Sequence, residues 1–263
     1  MENLEKFYIN GRWVTPNSTE TMPVSNPATE QKIGRITLGN GTDVDRAVTA
    51  ANTAFEEFSQ TSKAQRLSLL LRLKSVTEAR FEDLAQAMRL EMGAPISMAR
   101  SDQADAAVGH LQGFIDALEK LEEQITLASG DVLVREPIGV CGLITPWNWP
   151  MNQIVLKVVP ALATGSCCIL KPSEHTPISA MIYAEIIDEA GYPPGVFNLV
   201  NGDGPTVGAA LSRHADIQMM SFTGSTRAGI AVTRDAAPTV KRVTLELGGK
   251  SPNLVFADCD LEN

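Results

Sequence analysis

The sequence predicts an α/β protein built on a doubly wound parallel sheet of about five strands. Three observations carry this. From about residue 132, short apolar runs alternate with helical segments. Three of those helices open on a cap residue or a proline, at Thr176-Pro177, Gly204-Pro205 and Ser225. The turns after the strands are polar or glycine-rich, and such sheets bind ligands outside the carboxyl ends of their strands.

The elements follow in order. "FYINGRWV" is aromatic and β-branched on both sides of Asn10-Gly11, which reads as a two-residue hairpin. Val44, Ala47, Val48, Ala51, Phe55 and Phe58 recur at helical spacing behind a Thr42 cap. Leu67, Leu70, Leu71 and residues 74–91 continue that period up to Gly93, a stop. A further helix runs through Leu111, Phe114, Ile115, Leu118 and Leu121. Strands are predicted over 140–145, 167–170, 196–200, 218–222 and 242–245, with one more over 253–256. Five strands alternating with four helices imply right-handed βαβ crossovers.

Composition bounds the function. The 263 residues are 44% hydrophobic and 20% charged, as in a soluble globular protein. A net charge of −9 speaks against a nucleic-acid partner, which needs clustered Lys and Arg, and is read as serving solubility. "MENLEKFYING" has no basic region leading into an apolar one, so no secretory signal is read. "IVLKVVPALATGSCCIL" is interrupted by Lys157, Pro160 and Gly165 and is too short for a membrane span. Cys141, Cys167, Cys168 and Cys259 form no CxxC pair; they read as reduced thiols, and no residue is assigned to a metal. These features set a cytoplasmic enzyme as the expectation.

The strand ends hold the candidate site. They read "TPWNWP", "KPSEHTP", "FTGSTRAG" and "ELGGKSP". Gly224-Ser225 at a helix start offers free backbone N–H groups to a phosphate, or is an ordinary cap. Lys171 and Glu174 are a ligand-binding pair or a solvated ion pair. Asn148 is a donor or a helix cap, and Glu246 a general base or a surface carboxylate. The sequence contains no GxGxxG dinucleotide fingerprint.

Together, "NPATEQKIG", "EPIGVCGLITPWNWP", "PALATGSCCILKPSEHTP", "PPGVFNLVNGDG", "FTGSTRAG" and "LELGGKSPNLVFADCDLE" resemble the aldehyde dehydrogenase superfamily across essentially the whole chain. The resemblance implies a Rossmann-like cofactor domain that does without GxGxxG and takes NAD, with NADP less favoured. It implies Asn148 as the oxyanion donor and Glu246 as the general base that activates water against a thioester. Lys157 matches a lysine linked to proton relay, with a snorkelling core lysine as the equal alternative. Lys171, Ser173 and Glu174 resemble the adenosine-ribose segment. Ser225 with Gly224 resembles the pyrophosphate contact, and Gly204 joins the cofactor set. Thr145, Pro146 and Trp147 resemble the segment under the nicotinamide ribose, and Leu247 a contact to the nicotinamide end.

The resemblance also implies a nucleophilic Cys beyond Glu246, for a reaction through a thiohemiacetal and a thioester. The chain ends 17 residues after Glu246, and Cys259 lies between two acids, which raise rather than lower a thiol pKa. The expectation is therefore a truncated dehydrogenase, inactive alone. The alternatives are a stand-alone dinucleotide-binding module and a structural subunit. Residues 1–118 and 138–248 are expected to form the NAD-binding domain, 119–137 a hairpin arm, and 249–263 the start of a catalytic domain. The full-length protein is expected to be a homodimer or homotetramer acting on a small aldehyde.

Overall fold

The computed structural model describes residues 3–260. The chain opens with the predicted hairpin, β1 (Phe7–Ile9) and β2 (Arg12–Val14). Asn10 and Gly11 both take positive φ, 54° and 72°, as a two-residue turn of this kind requires. A second hairpin follows, β3 (Thr21–Ser25) and β4 (Lys32–Thr37), which the sequence reading did not contain.

Helix α1 (Gly41–Phe58) is capped by Asn40, not by Thr42 as expected. The Asn40 side chain accepts from the Asp43 N–H while Asp43 bonds back to the Asn40 N–H, a reciprocal capping box. The expected continuous helix up to Gly93 is two helices, α2 (Lys63–Ala79) and α3 (Phe81–Glu91). They break at Arg80, whose guanidinium bonds Asp83, Glu185 and Glu189. A short turn, α4 (Ile96–Met98), and a π-helical turn (Ala99–Ala104) lead into α5 (Asp105–Lys120). The arm is the antiparallel pair β5 (Gln124–Thr126) and β6 (Val132–Val134), with Val132 and Val134 both exposed.

The parallel strands are β7 (Val140–Ile144), β8 (Cys167–Lys171), β9 (Phe197–Leu199), β10 (Met219–Gly224) and β11 (Arg242–Leu247). Between them run α6 (Pro150–Ala163), α7 (Ile178–Glu189), a π turn (Gly204–Gly208) with α8 (Ala209–Arg213), and α9 (Thr226–Ala236). The sheet order is β11-β10-β7-β8-β9-β1-β2. Five strands are parallel, as expected, but the sheet has seven, because β1 pairs antiparallel with β9 and brings β2 with it. Helices α6 and α7 cover one face, with α2, α3 and α5 behind them; α1, α8 and α9 cover the other. The central strands β7, β8 and β9 are buried at every residue, so they read as continuous apolar runs rather than alternating ones.

Residues 253–256 form no strand, contrary to expectation; Leu254, Val255 and Phe256 are exposed, and no described residue offers them a ladder partner. Helix α7 is not capped by Thr176 either. Its first N–H groups, of Ile178 and Ser179, donate to the buried carboxylate of Glu91 from α3. Among the described residues, no helix is long and apolar enough to cross a membrane.

Candidate active site

The chain leaves β7 toward β8 on one side and later returns to place β10 on the other. The strand order therefore reverses between β7 and β10, and a crevice opens outside their carboxyl ends. A cleft of about 760 Å³ lies there. Register sets its floor: Phe222 is level with Ile144 on one side and with Leu245 on the other. One residue further along, Thr223 is level with Glu246. Strands spaced about 4.8 Å apart then separate Glu246 from the end of β7 by roughly 10 Å.

Eight predicted site residues line this cleft: Pro146, Trp147, Asn148, Lys157, Gly224, Ser225, Glu246 and Leu247. Asn148 is exposed, two residues before Pro150 opens α6, and its side-chain amide has no protein partner among the described residues. The helix-cap reading does not hold for it, since Trp149 occupies the cap position without a side-chain bond. Ser225 does cap α9, its Oγ accepting from the Ala228 N–H at 3.2 Å. The first turn of α9 is exposed at Ser225, Thr226 and Arg227, so its N-terminal dipole faces the cleft.

Lys157 does not snorkel. It is 8% exposed, and its Nζ donates to Ser221 Oγ on β10 at 2.9 Å. Burial in an otherwise apolar helix pushes its amine down to about 8, with the charge of Glu246 pulling the other way. Glu246 itself is exposed, because β11 is the edge strand. The described residues leave its carboxylate open to solvent.

The remaining predicted residues lie on the same sheet edge but outside this cleft. Thr145 is buried, and its Oγ1 has no hydrogen-bond partner. Lys171, at the end of β8, is buried; its Nζ donates to Pro172 O at 2.8 Å and Glu174 Oε2 at 3.2 Å. Burial pulls the Lys171 amine down, and Glu174 and then Asp203 pull it back up. Ser173 is buried with its Oγ accepting from the His175 N–H, and Gly204 is exposed at the start of the π turn that Asp203 caps.

Sequence reasoning missed four polar lining residues: Gln153, Ser221, Thr223 and Thr244. The signal for three of them was present as a period of two. Ser221 and Thr223 alternate with apolar residues on β10, as Thr244 and Glu246 do on β11.

Among the described residues, no cysteine lines the cleft. Burial pushes the thiols of Cys141 and Cys167 up to about 12 and that of Cys168 well above its ordinary value. Cys259 is exposed in the tail. Among the described residues, no group of three His, Cys, Asp or Glu side chains could hold a metal ion.

This cleft, with its Asn, buried Lys and edge Glu, belongs to a known sequence pattern. Residues 13–263 match the aldehyde dehydrogenase family. The chain belongs to that family. It is 53% identical over 263 residues to a 3-succinoylsemialdehyde-pyridine dehydrogenase from a Pseudomonas species. A solved aldehyde dehydrogenase from Bartonella henselae superposes with a TM-score of 0.93 at 48% identity, covering 98% of this chain and 55% of that one. An aldehyde dehydrogenase C mutant from Pseudomonas syringae, solved with NAD+ and octanal, also gives 0.93, at 51% identity over 98% of this chain and 53% of that one. The chain spans about 55% of the length of the curated relatives it matches.

Proposed function

We propose that this chain is the cofactor-binding part of an aldehyde dehydrogenase that oxidises an aldehyde to a carboxylic acid with NAD. The observation that carries the reading is convergence: Asn148 in the loop before α6, Lys157 within α6, Ser225 capping α9 and Glu246 on β11 line one cleft at the topological switch point. Residues 1–118 and 138–248 form the NAD-binding domain in this reading, and 249–263 begin a catalytic domain. Its cysteine nucleophile is not among the 263 residues.

The residues fit a dinucleotide. The exposed first turn of α9 suits a pyrophosphate, and Gly224 just before it has no room for a side chain, because a Cβ there would meet the Phe222 ring at 2.6 Å. Thr145 Oγ1, at the end of β7, is a buried hydroxyl with no hydrogen-bond partner, left over for a ligand. When bound, the nicotinamide supplies hydride acceptance. The Asn148 amide donates to the oxygen that gains charge when a thiolate attacks the aldehyde carbon. Glu246 takes a proton from water attacking the thioester, and Lys157, in the field of Glu246, passes that proton on. Lys171 holds Glu174 where ribose hydroxyls can donate to it, which favours NAD over NADP.

The arm at 119–137, with Val132, Leu133 and Val134 exposed, serves assembly of the full-length protein into a dimer or tetramer. A monodisperse full-length monomer in light scattering would refute that part.

The test uses the 263-residue chain directly. Calorimetric titration is expected to show NAD binding that weakens at least about tenfold in Lys171→Met, the loss of a charge-assisted contact. Incubation with NAD and aliphatic or aromatic aldehydes is expected to give no NADH absorbance. Turnover abolished by Cys259→Ser would make Cys259 the nucleophile and overturn the reading. Absence of NAD binding would overturn the cofactor assignment.

A further inference from the structure

Lys157 stands at a junction. The cleft at the switch point and a second cavity of about 320 Å³ under α6 share Leu156, Lys157, Ser221 and Thr244. The second cavity continues away from the cleft and is lined mainly by apolar groups, among them Ile138, Leu143, Pro160, Ala161 and Met219. The Lys157 amine therefore faces a polar cleft on one side and a small apolar space on the other. Its one side-chain bond among the described residues is to Ser221 Oγ, and Glu246 acts on it through its field rather than as a paired partner. An amine held this way, beside an amide donor at Asn148 and in a family that handles aldehydes, is arranged to react with a carbonyl carbon.

We propose that Lys157 is a covalent capture site for short aliphatic aldehydes, forming an imine whose alkyl tail lies in the apolar cavity beneath α6. The proposal rests on the functional reading above only in taking aldehydes as the relevant carbonyl class. The Nζ lone pair attacks the carbonyl carbon, and the C=O π pair moves onto oxygen. A proton passes from nitrogen to oxygen to give a carbinolamine, which loses water to leave the C=N bond. No oxidant or reductant is consumed. Ser221 Oγ, at 2.9 Å, is placed to carry the proton between the two heteroatoms.

The charged and titratable surroundings are few. Glu246 on β11 acts on the amine from the strand beyond Ser221, and Cys141 on β7 lines the apolar cavity. On the far side of α6, His110 of α5 bonds Asn152 rather than facing the lysine. Burial brings the amine down to about 8, so near neutral pH it carries far more free base than a surface lysine does. Part of that gain is offset by lower intrinsic nucleophilicity, leaving an advantage on the order of tenfold.

The experiment treats the 263-residue chain with propanal and cyanoborohydride at pH 7, then maps the modified lysines by peptide mass spectrometry. Cyanoborohydride serves to trap the imine as a stable propyl amine. Lys157 is expected to be labelled about tenfold faster than the exposed lysines. Lys157→Arg keeps the charge and lacks the nucleophile; it is expected to lose this fast component and keep the slow one. Lys157→Met serves the same purpose where the arginine disturbs packing. Labelling spread evenly over exposed lysines, or fast labelling that survives both variants, would overturn the proposal. NAD binding measured in parallel separates the two readings. A chain that binds NAD without a Lys157 adduct overturns this proposal alone, and an adduct without NAD binding overturns the cofactor assignment alone.

Discussion

Thr145 and Lys171, at the ends of β7 and β8, are each 3% exposed, while Leu247, at the end of β11, is 43% exposed with Glu246 open beside it. These residues share one sheet edge and one orientation, so register does not explain the difference. Neighbours do. β7 and β8 have a hydrogen-bonded strand on each side and helices on both faces; β11 has a single neighbour, β10. One half of the site edge is thus set by the core, where a side chain cannot move without cost. The other half depends on β10 and on whatever covers the edge. Function-bearing residues in the first half should register as stability changes, and those in the second as binding or rate changes.

Four measurements would break or sharpen that contrast. The largest effect is expected from Ile169→Ala on β8, fully buried, at about 3 to 4 kcal/mol, against about 1 kcal/mol for Leu245→Ala on β11. Urea midpoints at unchanged slope would measure both, and equal losses would mean that the edge strand is as firmly held as the centre.

Next is Glu91, which caps α7 on the buried side. Burial pushes its carboxyl from the ordinary 4.5 up to about 7, with the Ser179 and Ile178 donors pulling it down. A folded value above the unfolded one means that its contribution is fully present below about 4.5 and is lost as the pH rises through about 7. The loss across that window is on the order of 3 kcal/mol. Glu91→Gln is expected to flatten the fall in stability between pH 5 and about 7.5. Parallel curves for the two proteins would remove Glu91 as the source.

Ser225→Ala, on the open side, is expected to cost about 1 kcal/mol of stability through the lost cap. Its NAD affinity should fall too, by calorimetry, if the first turn of α9 carries the phosphate. The smallest effect is expected from Glu174→Gln. Replacing a partly screened charge should improve NADP binding relative to NAD by about 1 kcal/mol, roughly fivefold. An unchanged ratio would detach Glu174 from the ribose.

How much of this was legible in the sequence follows from how local each feature is. The Asn10-Gly11 turn was, because positive φ at both residues is a property of those two alone. Ser225 was, because a cap acts within one helical turn. The cap of α7 was not, since Glu91 lies 87 residues from Ile178 and no pattern around Thr176 points to it. The break at Arg80 was hidden by an apolar period that continues across it, and its stabilising partners Glu185 and Glu189 are remote in sequence. The strand expected over 253–256 has strand-like residues, but a strand exists only where a ladder partner exists. In the site, Asn148, Glu246 and Ser225 came from whole-motif resemblance. Ser221 and Thr244 needed the register of β10 against β11 to become neighbours of Lys157.

The β1–β9 pairing has a consequence for how the polypeptide is made. The Asn10 N–H donates to Asn198 Oδ1 at 3.0 Å, across 188 residues of sequence. At ribosomal rates of about 5–20 residues per second, the first hairpin leaves the tunnel roughly ten to forty seconds before its docking strand does. Phe7, Tyr8 and Ile9, all buried in the finished sheet, spend that interval uncovered. Nascent chains stalled before and after β9 has cleared the tunnel should therefore differ sharply in how readily a protease cuts near Asn10, with the hairpin protected only once its partner strand has emerged.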